Sequence, residues 1–376
     1  MKGLHGLALA AALGIAGGCT PIAQAPDAVG SPSISAAAEL DLADWTTFAT
    51  EPYQGKRDAV SFVDRDHGWY GTGAGDLFRT TDGGASWQKI ASRPGTFVRS
   101  VAFLNRTTGF IGNIGTDYYP GVTDETPLYR TDDAGETWTR VDTGDATIKG
   151  VCAIDVVEAQ RIHQGRLVPR TVIHAAGRVG GPAGILRSVD GGATWTMIDL
   201  SDQAGMITDI AFMDENVGFV FGSSNANVQL SEGIVLRTED GGRTWSEVYR
   251  SGRPGEIIWK GHFPSFETGF GTVQSYDGSN AQQRVIRTRD AGATWEELNL
   301  VQDAAARQFG IGFIDERRGF VGTMKGGFAT NDGGETWRSV PIAQAANKFQ
   351  ILRGEEEGRV YAIGTQLQAL DFAYAR

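Results

Sequence analysis

One eight-residue pattern returns six times in this chain, and a chain built that way folds as an array of equal units. The copies start at Thr80, Thr131, Ser188, Thr238, Thr288 and Thr330, and each reads Ser/Thr-x-Asp-x-Gly-x-Ser/Thr-Trp. Their aspartates are Asp82, Asp133, Asp190, Asp240, Asp290 and Asp332, separated by 51, 57, 50, 50 and 42 residues. Their tryptophans are Trp87, Trp138, Trp195, Trp245, Trp295 and Trp337. The pattern describes a hairpin bend. A carboxylate can take hydrogen bonds from turn N–H groups, and the Gly two residues on permits a positive φ. The Trp then opens the return strand as a wedge of apolar area. An acid present in every unit serves the unit, so the aspartates are read as braces of their bends and not as paired catalytic carboxylates.

A second motif travels with the first. Phe62 to Gly68-Trp69 is matched by Phe103 to Gly109-Phe110, Phe212 to Gly218-Phe219, Phe263 to Gly269-Phe270 and Phe313 to Gly319-Phe320. Each is a strand, a polar turn and a strand opening with Gly-aromatic, the pattern of a hairpin. Two hairpins make four antiparallel strands per unit of about fifty residues, which predicts a propeller blade. The third unit departs, with Ile154-Asp155 in the Phe position and an insertion around Glu158 to Arg170. Three further strands, around 349–352, 359–364 and 368–372, follow the sixth copy and need a fourth. Asp44-Trp45-Thr46-Thr47-Phe48 can supply it from the other end of the chain. The expectation is an all-β, seven-bladed β-propeller over residues 44–376, its ring closed by N- and C-terminal strands so that no long edge is left bare.

Composition agrees. Glycine makes up 52 of 376 residues without a collagen period, beside nine Trp and eighteen Phe, as many short aromatic strands joined by tight turns require. A net charge of −11 excludes a general electrostatic grip on nucleic acid. At the start, Lys2 and the apolar run from Leu7 to Ile15 have the build of an export signal, too short to span a bilayer. Ala16-Gly17-Gly18-Cys19 resembles the lipobox of bacterial lipoproteins, although Ala16 stands where Leu is usual. The expected plan is a signal peptide over 1–18, lipid on Cys19, and an Ala/Pro/Ser-rich tether over 19–43. Cleavage after Ala23-Gln24-Ala25 would instead give a soluble periplasmic or secreted protein. With Cys19 lipidated, Cys152 has no disulfide partner.

The repeated turn resembles the Asp-box of sialidases and related propellers. Together with the Phe-x5-Gly-Trp/Phe motif it makes nearly the whole chain after the tether similar to the photosystem II assembly-factor family and its relatives in non-photosynthetic bacteria. That resemblance implies a seven-bladed propeller without catalysis or cofactor, lipid-anchored and facing the periplasm, that binds protein in a membrane or envelope complex. The alternative it leaves open is a sialidase-like or other carbohydrate-active propeller, cleaving or binding glycan. The residues give that alternative little chemistry. No Arg-Ile-Pro motif precedes the first copy, and Arg93-Pro94-Gly95 and Arg253-Pro254-Gly255 read as matching turns between blades. The histidines lack metal-ligand spacing, so no metal is expected.

Two cationic patterns remain. Arg57, Arg99, Lys149, Lys260, Arg307 and Lys348 stand near the start of the innermost strand in six blades, with Asp209 in the remaining one. Gathered at one channel mouth they would form a basic ring for an anionic partner; the alternative is solvated charge at strand ends. Arg79, Arg130, Arg187, Arg237 and Arg287 precede five of the repeated turns, and Ala329 precedes the sixth. Their stems are expected to lie along a neighbouring Trp.

Overall fold

The computed structural model describes residues 41–163 and 166–374, and the 28 described strands form seven four-stranded antiparallel sheets. Blade 1 runs outward through Ala59–Phe62, Gly68–Gly71, Asp76–Thr80 and Gln88–Ser92. The innermost strands of blades 1 to 4 are Ala59–Phe62, Val98–Phe103, Ala153–His163 and Met206–Phe212. Those of blades 5 to 7 are Glu256–His262, Gln308–Phe313 and Lys348–Arg353. Each packs on the next, and the last packs on the first. The fold is a seven-bladed β-propeller. Blade 7 closes it as the sequence predicts: Thr46–Phe48 takes the outermost place, with Thr46 opposite Ala369 and Phe48 opposite Leu367. The core already includes Leu42, which is fully buried against Ile314, Phe320 and Phe372. The leader, Cys19 and most of the tether lie outside the described residues.

Successive strands alternate in direction, so the connections fall on two faces. The upper face carries the links between blades and the loops between second and third strands. The lower face carries the first hairpin turn of each blade and the repeated aspartate turns. Blade 7 has no aspartate turn; there the described chain begins and ends, so residues 41 and 374 both lie on the lower face.

The six aspartate turns share one set of hydrogen bonds. In the first, Asp82 Oδ1 accepts from Ser86 N at 2.9 Å and Thr80 Oγ1 at 2.7 Å, while Oδ2 accepts from Ser86 Oγ at 2.6 Å. Thr80 Oγ1 accepts in turn from Gly84 N at 2.9 Å. Hydrogen bonds from Ser86 and Thr137 hold the Asp82 and Asp133 carboxyls down to about 2. Both residues after each aspartate have positive φ. The second is always Gly, but the first is Ala134 (63°) and Ala291 (55°) in two copies, a conformation that L-residues resist.

Aromatic contacts join the two motifs and then the blades. Trp87, Trp138, Trp245, Trp295 and Trp337 meet the motif Phe of their own blade edge-on, at centroid distances of 5.9–6.3 Å. Blade 3 lacks that Phe, and its Trp195 turns to Phe110 of blade 2 at 6.0 Å. The aromatic after the motif Gly stacks on the Phe of the following blade: Trp69 on Phe103 at 3.7 Å, Phe219 on Phe263 at 4.4 Å, Phe270 on Phe313 at 3.5 Å. The Gly is required because the Phe ring of its own hairpin lies across it. A Cβ on Gly68 would stand 2.4 Å from Phe62 and one on Gly319 2.4 Å from Phe313.

Three of the five periodic arginines reach across to the carbonyl of the residue after the aspartate in the next blade's turn: Arg130 to Gly191 O, Arg237 to Ala291 O (2.9 Å) and Arg287 to Gly333 O (2.6 Å). Between blades 1 and 2, Trp69 Nε1 makes that bond to Ala134 O, and Arg79 pairs with Glu136 instead. Ala329 in the sixth copy now has a reason, since blade 7 offers no such turn to reach.

Candidate functional site

The channel inside the seven innermost strands is closed near the upper face by side chains from five blades. Trp259 of blade 5 is buried there, and its Nε1 donates to Asn347 Oδ1 at 2.8 Å. Asn347 Nδ2 donates to Asp58 O at 3.0 Å. The Arg99 guanidinium lies 4.9 Å from the Trp259 ring centroid and 3.2 Å from Asp58 Oδ1. Lys56 is ion-paired to Asp58 and sits 5.4 Å from the Phe309 ring. Burial, followed by the nearby Arg99 and Lys260 charges, pushes the Lys56 ammonium well below its usual range.

Below this plug lies a cavity of about 260 Å³ that touches all seven innermost strands. Its charged lining is mixed: Asp58, Asp155 and Asp209 against Arg99, Lys260 and Lys348. Lys260 Nζ pairs with Asp209 Oδ1 at 2.9 Å. Burial, with Asp209 adding to it, pushes Asp155 up to about 7, although its Oδ2 accepts from Phe212 N at 3.1 Å. Burial and the Lys260 charge bring Lys348 down to about 8. The described lining holds one Arg and no Tyr.

Above the plug the mouth is aromatic. The loop 114–127 of blade 2 is longer than its counterparts and carries Tyr118 and Tyr119, 38% and 41% exposed. Buried Asn113 shapes it, its Oδ1 accepting from Phe97 N and Gly115 N and its Nδ2 donating to Asp124 O and Thr126 O. Arg178 of blade 3 holds the far side through Thr116 O. Tyr119 stacks on Phe97 at 4.8 Å and Tyr118 meets Tyr119 edge-on at 5.0 Å. Burial raises the Tyr118 hydroxyl, and Tyr276 and Tyr119 add to the shift. The Arg307 guanidinium caps Tyr276 at 4.7 Å from the ring centroid. Aromatic rings beside guanidinium groups suit a peptide or another partner with apolar and anionic parts.

The six cations read from the sequence do not form one ring. Arg57 is buried between the Tyr53 and Tyr70 rings and donates to Thr365 O at 2.8 Å and Glu51 O at 2.7 Å. Arg99 belongs to the plug, and Lys260 and Lys348 to the cavity beneath it. Lys149 is exposed in the link between blades 2 and 3, and Arg307 is half-buried at the mouth. Lys56, Trp259, Tyr118, Tyr119 and Tyr276 were not singled out from the sequence. For Tyr118 and Tyr119 the signal available was the Asp117-Tyr118-Tyr119-Pro120 stretch in an overlong loop. Among the described residues, no three His, Cys, Asp or Glu side chains gather as metal ligands do.

No protein-family model matches the chain, and no protein of curated function matches it. Solved structures do. YCF48 bound to D1 peptide aligns with a TM-score of 0.59 at 16% identity, over 92% of this chain and 100% of that one. YCF48 from Cyanidioschyzon merolae aligns at 0.58 and 14%, over 87% and 98%. The GH74 enzyme of Niastella koreensis aligns at 0.53 and 17%, over 84% of this chain but 52% of the enzyme. What they share with this chain is the propeller fold. A fold does not fix an activity.

Proposed function

We propose that the protein is a non-catalytic scaffold, held to the bacterial envelope by lipid on Cys19, that captures a segment of a partner protein at its upper mouth. In this reading residues 1–18 are the leader, 19–43 the tether, and the chain is a relative of the photosystem II assembly factors with Asp-box turns. The observation that carries it is the cluster of Tyr118, Tyr119, Tyr276 and Arg307 over a plugged channel. Half-exposed aromatics held by a stapled loop are pre-organised for contact, and Lys149 and Arg307 favour an anionic segment. The likeness to a propeller solved with a bound peptide supports a peptide as the partner. The test is capture from native membranes of the source cell by wild type and by Tyr118→Ala/Tyr119→Ala and Lys149→Glu/Arg307→Glu variants. A partner lost from both variants, roughly tenfold or more, is the expected result. Equal recovery by all three proteins overturns the reading.

A second reading as a glycan-binding or glycoside-cleaving propeller draws on the same exposed tyrosines, since sugars also stack on aromatic faces, and on Asp155, a carboxyl that titrates near 7 in a cavity. A fluorogenic glycoside screen separates the two. Hydrolysis by wild type and its loss in Asp155→Asn would favour the enzyme.

A further inference from the structure

The insertion in blade 3 extends its first hairpin. Ala153–His163 pairs with Arg166–Gly177 along its whole length, but the third strand of that blade, Gly184–Ser188, reaches only as far as Ile173. From Ala159 and Arg170 outward the two strands pair only with each other, five residues a side and about 15 Å of ribbon, whose base packs on the body through Ala159, Arg161, Pro169 and Arg170 and whose end carries the exposed residues. Near its end Ile162 lies directly opposite Leu167. At 75% and 66% they are the two most exposed large apolar side chains among the described residues. Arg161 and Arg166 are exposed on the other face of the ribbon; Arg161 lines a recess shared with Glu158 and Asp190, and neither arginine forms an ion pair among the described residues. Arg170, nearer the base, is tied to Glu215 of blade 4.

We propose that this hairpin is a finger that inserts Ile162 and Leu167 into the surface of an anionic phospholipid bilayer while Arg161 and Arg166 meet its phosphates. A protein partner is a poorer fit, because two aliphatic and two guanidinium side chains on a narrow tip fall far short of a stable interface area. The same four side chains match a membrane interface, where aliphatic groups enter the acyl boundary and guanidinium groups stay at headgroup level. The net charge of −11 opposes flat adsorption of the body on such a surface, which leaves the contact to the basic finger. Residue 41, where the described chain begins, lies on the same lower face. With the finger on the bilayer, the aromatic mouth faces away from it.

Residues 41–376 carry every described strand and core cluster, and without the leader they report on the finger alone. Their co-sedimentation is measured with phosphatidylcholine vesicles and with mixed phosphatidylcholine and phosphatidylglycerol vesicles. Wild type is expected to sediment with the anionic vesicles only. Ile162→Ser/Leu167→Ser and Arg161→Glu/Arg166→Glu are each expected to lose roughly tenfold or more of that binding. Unchanged near-ultraviolet circular dichroism shows both variants folded. Equal binding to the two vesicle types, or variants equal to wild type, overturns the proposal. So does capture of a protein through the finger with no vesicle binding. The proposal does not depend on lipid at Cys19, which the mass of the exported full-length chain decides separately.

Discussion

His174 stands opposite Arg187 in blade 3, where Trp69 stands opposite Arg79 in blade 1. It therefore holds the slot that other blades give to the aromatic after Gly, and it stacks on Phe212 of blade 4 at 3.6 Å with an interplanar angle of 4°. It is fully buried, and neither ring nitrogen has a hydrogen-bond partner among the described residues. Burial, with the Arg187 charge adding to it, lowers the ring to about 3. The folded ring thus stays neutral where the unfolded one, near 6.5, takes up a proton. The contribution is present above 6.5 and is lost as pH falls toward 3. A fully expressed shift is worth roughly 2–3 kcal/mol at pH 4.5. His174→Phe keeps the stack and removes the titration. Its denaturation midpoint should change less between pH 7 and pH 4.5 than that of wild type. Asp155, raised to about 7, has the opposite sign: it loses stability as pH rises through 7. It is present in both proteins and cancels in the comparison. Parallel pH profiles for the two proteins would refute this account of His174.

Between neighbouring blades, the arginine before each turn was visible in the sequence but its partner was not. The period showed that five turns carry it; for Arg130, Arg237 and Arg287 the acceptor is a backbone carbonyl about fifty residues away, which no local pattern reveals. The geometry ranks these arginines. Arg287 is 2% exposed, donates to Gly333 O and also meets Glu296 and Glu335. Arg79 has an ion pair with a half-exposed Glu136. Truncating Arg287 leaves a turn carbonyl and two acids without their donor, so Arg287→Ala should cost roughly 2–4 kcal/mol. Arg79→Ala should cost less than about 1 kcal/mol. Urea unfolding of the two variants beside wild type measures both. Equal losses would mean that the bond to the next blade's turn does not hold blades together.

Across the whole ring, the architecture was legible and the mouth was not, for two physical reasons. Blade number, strand order and closure depend on motifs with fixed spacing, and those survive small shifts. Which way a side chain points at the start of a strand depends on a period of two, so a slip of one residue sends it elsewhere. Lys56 and Arg57 are neighbours, yet Lys56 joins the plug and Arg57 is spent between blades 1 and 7. Trp259 and Lys260 divide in the same way between plug and cavity. The tyrosine loop was hidden for another reason: its shape depends on Asn113 and on Arg178 of the adjoining blade.

Closure of the ring is the property on which the mouth, the plug and the finger's position all rest, and a short segment secures it. Thr46–Phe48 adds three residues of strand, Leu42 is fully buried, and Trp45 meets Phe320 edge-on at 5.0 Å while its Nε1 donates to Leu42 O. Removing residues 41–48 strips that cover and leaves Leu367–Ala373 as a bare edge strand. Burial of Leu42 alone is worth roughly 1.5–3 kcal/mol and half-buried Trp45 adds to it, a large fraction of a domain's usual net stability of about 5–15 kcal/mol. The truncated chain is expected to melt at least several degrees lower and to aggregate through the exposed edge. If pairing of Thr46–Phe48 with blade 7 is what counts and the position of the chain ends is not, a circular permutant should behave differently from the truncated chain. Joining residue 374 to residue 41 by a short flexible linker converts the two neighbouring ends on the lower face into an ordinary turn. Opening that permutant at Gly144, in an exposed link where an added Cβ would meet nothing within 4 Å, should preserve a cooperative melt within a few degrees of wild type. Melting by circular dichroism, with light scattering for aggregation, compares the three proteins. A truncated chain as stable as wild type would show that the terminal strand decorates the seventh blade without closing the ring.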